Sequence, residues 1–341
     1  MNRKVVLFYL IFFPIFVQAQ FGGRRSFEFI NLPSNARTAA LGGVNVSHFD
    51  NNVDGFLSNP ALLDSVKSGS IAFTHLGFMA DVGLNNISYA QKFKKAGIIG
   101  FGVQYMDFGQ FDGFDQAGIA TGSFNADEFA LVVGYSHRIS VFSLGVNLKF
   151  VGTGIESYRA TALMLDIGGQ FKHPERDFTA GLVFKNLGFY LSNYTSTANS
   201  QLPFDVQLGI TFKPEHMPVR FSITSYNLYK GDLTFFDPTS ETTLVNTPAG
   251  VFDKVFRHFN IGTEFLIHRN FYIRAGYNHL IRKELRLDAK SGGAGISFGF
   301  VVRIKTFEFA YTRAIYHVAG GGNYFTISTN MHSIIKKKSK A

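Results

Sequence analysis

The stretch that most constrains this chain is Val141–Phe150, which reads V-F-S-L-G-V-N-L-K-F. Phe142, Leu144, Val146, Leu148 and Phe150 alternate with Ser143, Gly145, Asn147 and Lys149. Successive side chains of a strand point to opposite faces, so this pattern makes a ribbon with one large apolar face and one small or polar face. About ten residues is also what a tilted strand needs to cross the hydrocarbon layer of a membrane. The same pattern recurs: Phe204, Val206, Leu208, Ile210 and Phe212 alternate with smaller or polar residues, as do Phe271, Ile273, Ala275 and Tyr277, and Ala294, Ile296, Phe298, Phe300 and Val302.

Alternation and bounding turn residues mark about fourteen strand-like segments. They fall near 69–79, 84–93, 97–106, 126–137, 141–152, 161–172, 178–187, 203–213, 218–227, 257–267, 270–279, 292–303, 305–314 and 322–331. Their connections sort into two kinds. After every second strand the turn is tight: Lys94-Lys95-Ala96, Ile139-Ser140, His173–Asp177, Pro214–Met217, His268-Arg269 and Ile304. Between them lie longer spans: Asp107–Asn125, Thr153–Ala160, Gly188–Leu202, Leu228–Phe256 and Leu280–Ser291. Short turns on one end and long loops on the other, with an even strand count, are the mark of an outer-membrane barrel. A soluble sandwich has no reason to sort its loops in this way. The expected fold is therefore all-β: a transmembrane antiparallel β-barrel of about 14 strands over residues 69–332, its apolar face on lipid.

Composition agrees once alternation is allowed for. The 39 Phe and 14 Tyr suit pleated strands, and mean hydropathy is only +0.08 because polar and apolar faces average out. The expected lumen residues include Lys149, Asp166, Lys172, Lys185, Asp205, Glu264, Arg274, Arg303 and Glu308, a mixed charge load that a dry core would not carry. Phe150, Phe171, Tyr277 and Tyr311 are the expected interfacial aromatics in a chain without tryptophan. Eight strands already leave an interior that wall side chains fill, so a barrel this wide calls for a plug. Residues 20–68 do not alternate and are broken by Gly and Pro, which reads as a compact hatch with short helical turns.

Arg3-Lys4, the apolar run Val5–Val17 and Val17-Gln18-Ala19 have the form of a secretory signal over residues 1–19, cleaved after Ala19. The barrel then lies in the bacterial outer membrane with loops extracellular and termini periplasmic. The net charge of +9 includes Arg3, Lys4 and the C-terminal Lys336, Lys337, Lys338 and Lys340; the remainder forms no basic stripe, which speaks against nucleic-acid binding. Residues 333–341 read as a solvated basic tail. There are no cysteines, hence no disulfides or thiolate metal sites.

No catalytic constellation stands out. Gly295-Ile296-Ser297-Phe298-Gly299 matches G-x-S-x-G but lies inside an alternating strand, where it puts Gly, Ser and Gly on the lumen side. Asp50 and Asp54 lack the other ligands of a calcium loop and read as a turn-forming acidic pair. The ten histidines have no ligand-like spacing, so neither metal nor cofactor is implied. Tyr190, Tyr194, Phe235 and Phe236 lie on the long connections, where they could dock a partner or fold back onto the barrel mouth.

The hatch also carries a resemblance. Phe27–Arg37 with Asn31, Leu32, Pro33 and Arg37, then Ala39-Ala40-Leu41-Gly42-Gly43 and Asn59-Pro60-Ala61-Leu62, resembles the start of the PorQ family, outer-membrane components of the type IX secretion system of Bacteroidetes. The likeness continues through Tyr89–Gly97 and Gly102–Gly109. The Asn-Pro-Ala element is shared more widely with the FadL superfamily and with the PorV family. The resemblance implies a fourteen-stranded FadL-like barrel with an N-terminal hatch. It also implies membership of a surface attachment complex, in which the barrel retains the surface protein PorZ while PorU and PorV process cargo and join it to anionic lipopolysaccharide. Any peptidase chemistry would then belong to a partner, and this chain would be a non-enzymatic anchor. A FadL-type channel for hydrophobic molecules is the other reading, with Phe49 and Phe56 as candidate tunnel residues; strands alone do not separate the two.

Overall fold

A computed structural model describes residues 25–48, 52–94, 96–195, 200–235, 248–287 and 292–338. The expected signal segment, Phe49, Asp50 and Phe236 lie outside the described residues. Fourteen strands close into one antiparallel barrel in chain order: β1 (Ser70–Gly77), β2 (Gly83–Phe93), β3 (Gly97–Phe114), β4 (Ala120–Ile139), β5 (Phe142–Ile155), β6 (Tyr158–Lys172), β7 (Phe178–Ser192), β8 (Asp205–Phe212), β9 (Val219–Ser225), β10 (Phe259–His268), β11 (Phe271–Asn278), β12 (Ile296–Ile304), β13 (Phe307–His317) and β14 (Gly320–Asn330). β14 pairs back onto β1, Thr74 opposite Thr326, so the sheet has no edge at its closure.

The alternation decides which side is which. On β5, Leu148 lies opposite Val133 and Leu165, while Asn147 lies opposite Gly134 and Asp166. Phe142, Leu144, Val146 and Leu148 are bare on the outside, whereas Asn147 and Lys149 are buried within. Phe73, Phe101, Leu131, Leu182, Leu208, Phe265, Phe298 and Phe325 continue the bare apolar surface round the wall. So large a continuous apolar surface is tenable only against lipid. Of the expected lumen charges, Lys149, Asp166, Lys185, Asp205, Glu264 and Arg274 are buried inside, Arg303 and Glu308 are half-buried, and Lys172 is exposed at the strand end.

The expected loops need correction. The spans 107–125 and 153–160 are mostly strand, not loop. β3 and β4 run on for 18 and 20 residues and meet through the turn 115–119, while β5 and β6 meet through the turn 156–157. Gly109 and Gly122 at positive φ, with register shifts beside them, break the alternation there and hid the strands from a pattern reading. β2 stops pairing with β3 at Gly83–Asp107, and β8 stops pairing with β7 at Asp205–Lys185. β3 to β7 therefore rise as a five-stranded wall above the rest of the rim. Phe150 and Tyr311 lie mid-strand, because β5 runs on to Ile155 and β13 to His317; of the four expected interfacial aromatics, Phe171 and Tyr277 sit next to strand ends.

At the C-terminus, residues 331–338 form a helix, Met331–Lys338, begun by the Ser333 amide donating to Asn330 Oδ1 at 3.3 Å. Asp54 lies in the turn Val53–Leu57 and is fully buried, and neither carboxylate oxygen has a hydrogen-bond partner among the described residues.

A charge on the lipid face should discriminate the membrane band from the raised wall. Leu148→Arg is expected to destabilise by about 2–4 kcal/mol, and Phe114→Arg at the top of β3 by roughly 0–1 kcal/mol, in urea unfolding from lipid vesicles. Equal costs would contradict the raised wall.

Candidate functional site: the plugged lumen and its mouths

The segment ahead of β1 folds as four short pieces: 3-10 turns at Glu28–Asn31, Val53–Leu57 and Pro60–Ser65, and helix α1 (Ala36–Ala40). Two of them begin on a capping asparagine. Asn35 Oδ1 caps α1 at the Thr38 amide, 2.7 Å, and Gly42 and Gly43 leave α1 at φ +91 and +101. Asn59 Oδ1 accepts from the Ala61 amide at 3.0 Å, with Pro60 at the first position, where a missing N–H costs nothing. Pieces this short leave most of their backbone groups unpaired, so the wall must supply partners.

It does so around the whole circumference. Asn86 Nδ2 donates to Ser34 O at 2.9 Å, Thr312 Oγ1 to Ala36 O at 2.6 Å, Asn260 Nδ2 to Leu41 O at 2.8 Å and Asn278 Nδ2 to Gly42 O at 3.0 Å. Gln170 Nε2 reaches His48 O at 3.1 Å and Asn147 Nδ2 reaches Phe56 O at 2.8 Å. Thr326 Oγ1 accepts from the Ala36 amide at 2.9 Å, and Thr179 Oγ1 donates to Ser47 O. Ser297, the serine of the G-x-S-x-G match, donates to Ala40 O at 2.9 Å and accepts from the Gly42 amide at 3.1 Å. Its neighbours are plug backbone, so it is a clasp. Where the plug lies against the wall, the wall carries glycine: a Cβ on Gly276 would collide with Gly42 N, and one on Gly145 with the Pro60 carbonyl carbon.

Charge completes the seal. Arg37 of the plug meets Glu264 of β10 in a bidentate pair, Nε–Oε1 3.1 Å and Nη2–Oε2 2.7 Å. Arg274 Nε also reaches Oε1 at 2.9 Å and Arg220 Nη1 reaches Oε2 at 2.9 Å, so one carboxylate is shared by three guanidinium groups. Arg37, Glu264 and Arg274 are each 3% exposed or less. Across the barrel, Lys149 pairs with Asp166 at 2.7 Å and donates to Asn186 Oδ1 at 2.8 Å; Asn186 Nδ2 reaches Asn31 Oδ1 of the plug at 3.2 Å. Phe56 is fully buried against Gly100, Gly102 and Gly134, where it packs as part of the plug.

Arg37, Glu264 and Arg274 belong to the residues singled out from sequence, brought together from the hatch motif and the lumen set. Arg220 was missed, although the run Val219–Ser225 places it on the same face as Ser222 and Thr224. Asn86, Asn260, Asn278, Thr312 and Thr326 were also missed; polar residues at inward strand positions were the available signal. Leu32 is half-buried and Pro33 buried in the plug. Tyr190 and Tyr194 turn back: Tyr190 packs on Phe27 at 5.8 Å and Tyr194 Oη donates to Thr153 Oγ1 at 3.3 Å. Phe235 is 61% exposed.

Two pockets lie at the ends of the plug among the described residues. At the short-turn end a pocket of about 210 Å³ is lined by Asn52, Lys67, Arg303, Lys305 and Glu308; Arg303 Nε donates to Glu308 Oε2 at 2.6 Å, and Asn52 Nδ2 to Oε1 at 3.2 Å. Asp54 follows Asn52 in the plug. Burial, with Glu308 adding to it and Arg37 and Arg274 opposing, pushes its carboxyl up to about 7. At the other end, β7 runs past β8 and leaves a cleft of about 370 Å³ between Asn186–Tyr190 and Ser200–Phe204, floored by Tyr190 on Phe27.

No protein-family model matches the chain, and no curated protein matches its sequence. Among solved structures it is similar to a mutant of the TodX monoaromatic hydrocarbon channel, at TM-score 0.51 and 15% identity over 87% of this chain and 97% of that one. A Pseudomonas aeruginosa FadL homologue aligns at TM-score 0.48 and 11% identity over 88% and 98%. At this identity the likeness to the TodX mutant is one of fold, a closed antiparallel β-barrel.

Two outcomes test the seal. Glu264→Gln removes the charge that three guanidinium groups share, two of them buried, and is expected to destabilise the protein by about 3–5 kcal/mol, read as an earlier midpoint in denaturant. Asp54 titrates higher in the folded state than its free value of 3.8, so the native state is penalised as pH rises from 3.8 to about 7 and retains the penalty above. Asp54→Asn should therefore stabilise at about pH 8 and change little at about pH 4; equal effects at both would show that Asp54 is not buried uncharged.

Proposed function

We propose that this barrel is a non-conducting, non-enzymatic outer-membrane anchor whose long-loop end holds a surface protein. The observation that carries the proposal is the filled lumen: plug backbone is bonded to wall side chains on many sides, and plug Arg37 is locked to a buried carboxylate. A path for cargo would have to break that network. What is left exposed is the rim, and the raised β3–β7 wall presents Phe111, Phe114, Ile119 and Tyr158 beyond the membrane band. The resemblance of the hatch to the PorQ family supports the finer reading: a component of the type IX secretion attachment complex that retains PorZ, with PorU and PorV carrying out cargo processing and attachment to anionic lipopolysaccharide.

The second reading is a FadL-type channel for hydrophobic small molecules. The cleft beside β7 favours it, since Leu187, Phe189, Leu202 and Phe204 line it. Its floor is plug and wall in contact, and the wall side chains that hold the plug elsewhere are polar. Lipid or detergent co-purifying in that cleft, together with lost uptake in a deletion strain, would favour the channel.

Replacing the raised hairpin Gln110–Asn125 by a tight turn should leave the barrel folded and release PorZ into the medium, as should deletion of the whole protein. PorZ retained at the surface of the deletion strain would overturn the anchor reading.

A further inference from the structure

We infer that helix α2 (Val251–Phe256), just ahead of β10, is a membrane-interface helix whose apolar face lies in the outer-leaflet lipid beside the barrel. Val251 and Phe252 are each 79% exposed, Val255 49% and Phe256 42%. In a helix, positions i, i+1, i+4 and i+5 share one side, so these four side chains form a single bare apolar face. Its direction is fixed by contacts. The Phe256 ring stacks on Phe252 at 5.5 Å and approaches Phe259 of β10 at 6.3 Å and His279 at 6.1 Å. Phe259 alternates with buried Asn260 and shares its side of the strand with Ile261 and Phe265, both bare on the lipid face. His279 Nδ1 is bonded to the Tyr277 hydroxyl at 2.9 Å, and Tyr277 also points outward at the strand end. The apolar face of α2 thus continues the lipid-facing wall past its upper margin.

The other side of the helix is tied down. Asp253 bonds His279 Nε2 at 2.8 Å, Arg257 at 3.1 Å and Lys283 at 3.1 Å, and Lys254 pairs with Asp232 at 2.7 Å. His279 and Lys283 lie on helix α3 (His279–Glu284). Partial burial works against the Asp253 carboxylate, but the bonds from His279, Lys283 and Arg257 outweigh it and hold it below the usual range. These ties hold the helix with Phe252 outward, where water would be a poor neighbour. A short helix with aromatic residues on one side and basic residues on the other is the composition of an interfacial segment. This inference needs only the membrane barrel, not the anchor reading.

The chain has no tryptophan, so a single one reports alone. Phe252→Trp, Phe265→Trp on the lipid face and Ile119→Trp at the tip of the raised hairpin would be reconstituted in vesicles of phosphatidylcholine and phosphatidylglycerol with brominated acyl chains. Trp at 252 is expected to emit to the blue and lose most of its fluorescence to bromine, like the reporter at 265, and to resist aqueous iodide. Loss of fluorescence to iodide but not to bromine, like the reporter at 119, would overturn the inference and leave the face open for a protein partner.

Discussion

The structure turns on one buried carboxylate. Glu264 draws Arg274 and Arg220 from neighbouring strands and Arg37 from the plug, all within 3.1 Å. Ions of this kind pay heavily for leaving water and recover it only with good geometry on both sides. The plug residue is therefore no optional visitor. Without Glu264 the plug arginine and Arg274 would lose the buried carboxylate that both share. Barrel and plug need one another, and each explains a feature of the other that alternation alone leaves open.

That mutual need also explains the inward face. A water-filled lumen asks only for polarity, yet here the inward positions are chosen one by one. Asn and Thr stand where plug carbonyls point, Ser297 clasps the end of α1, and glycine stands where plug backbone touches the wall at Gly276 and Gly145. Unpaired backbone groups of a segment with so little regular structure would be costly in a closed interior. The wall acts as the plug's missing secondary structure.

Much of this was legible beforehand, for physical reasons. Period-two alternation is imposed by the pleat and survives in any membrane strand, so strand number, closure and the side on which Lys149 and Glu264 lie could be read directly. The height of the β3–β7 wall could not: above the membrane the outward face no longer has to be apolar, and the bulges near Gly109 and Gly122 interrupt what alternation remains. The pairing of Arg37 with Glu264 spans 227 residues and belongs to no local pattern. Nor did sequence show that Tyr190 folds onto Phe27 while Phe235 stays exposed, since loop aromatics of either kind look alike.

The anchor reading shifts the functional question from the lumen to the rim, where the raised wall and the aromatic helix α2 are the surfaces proposed to meet partners and lipid. The most direct measurement of that claim is ion conductance in planar bilayers, comparing the whole protein with a form lacking residues 27–66. The account predicts a silent membrane for the whole protein and stepwise conductance once the plug is gone. Equal conductance from both would show that the lumen is open with its plug in place.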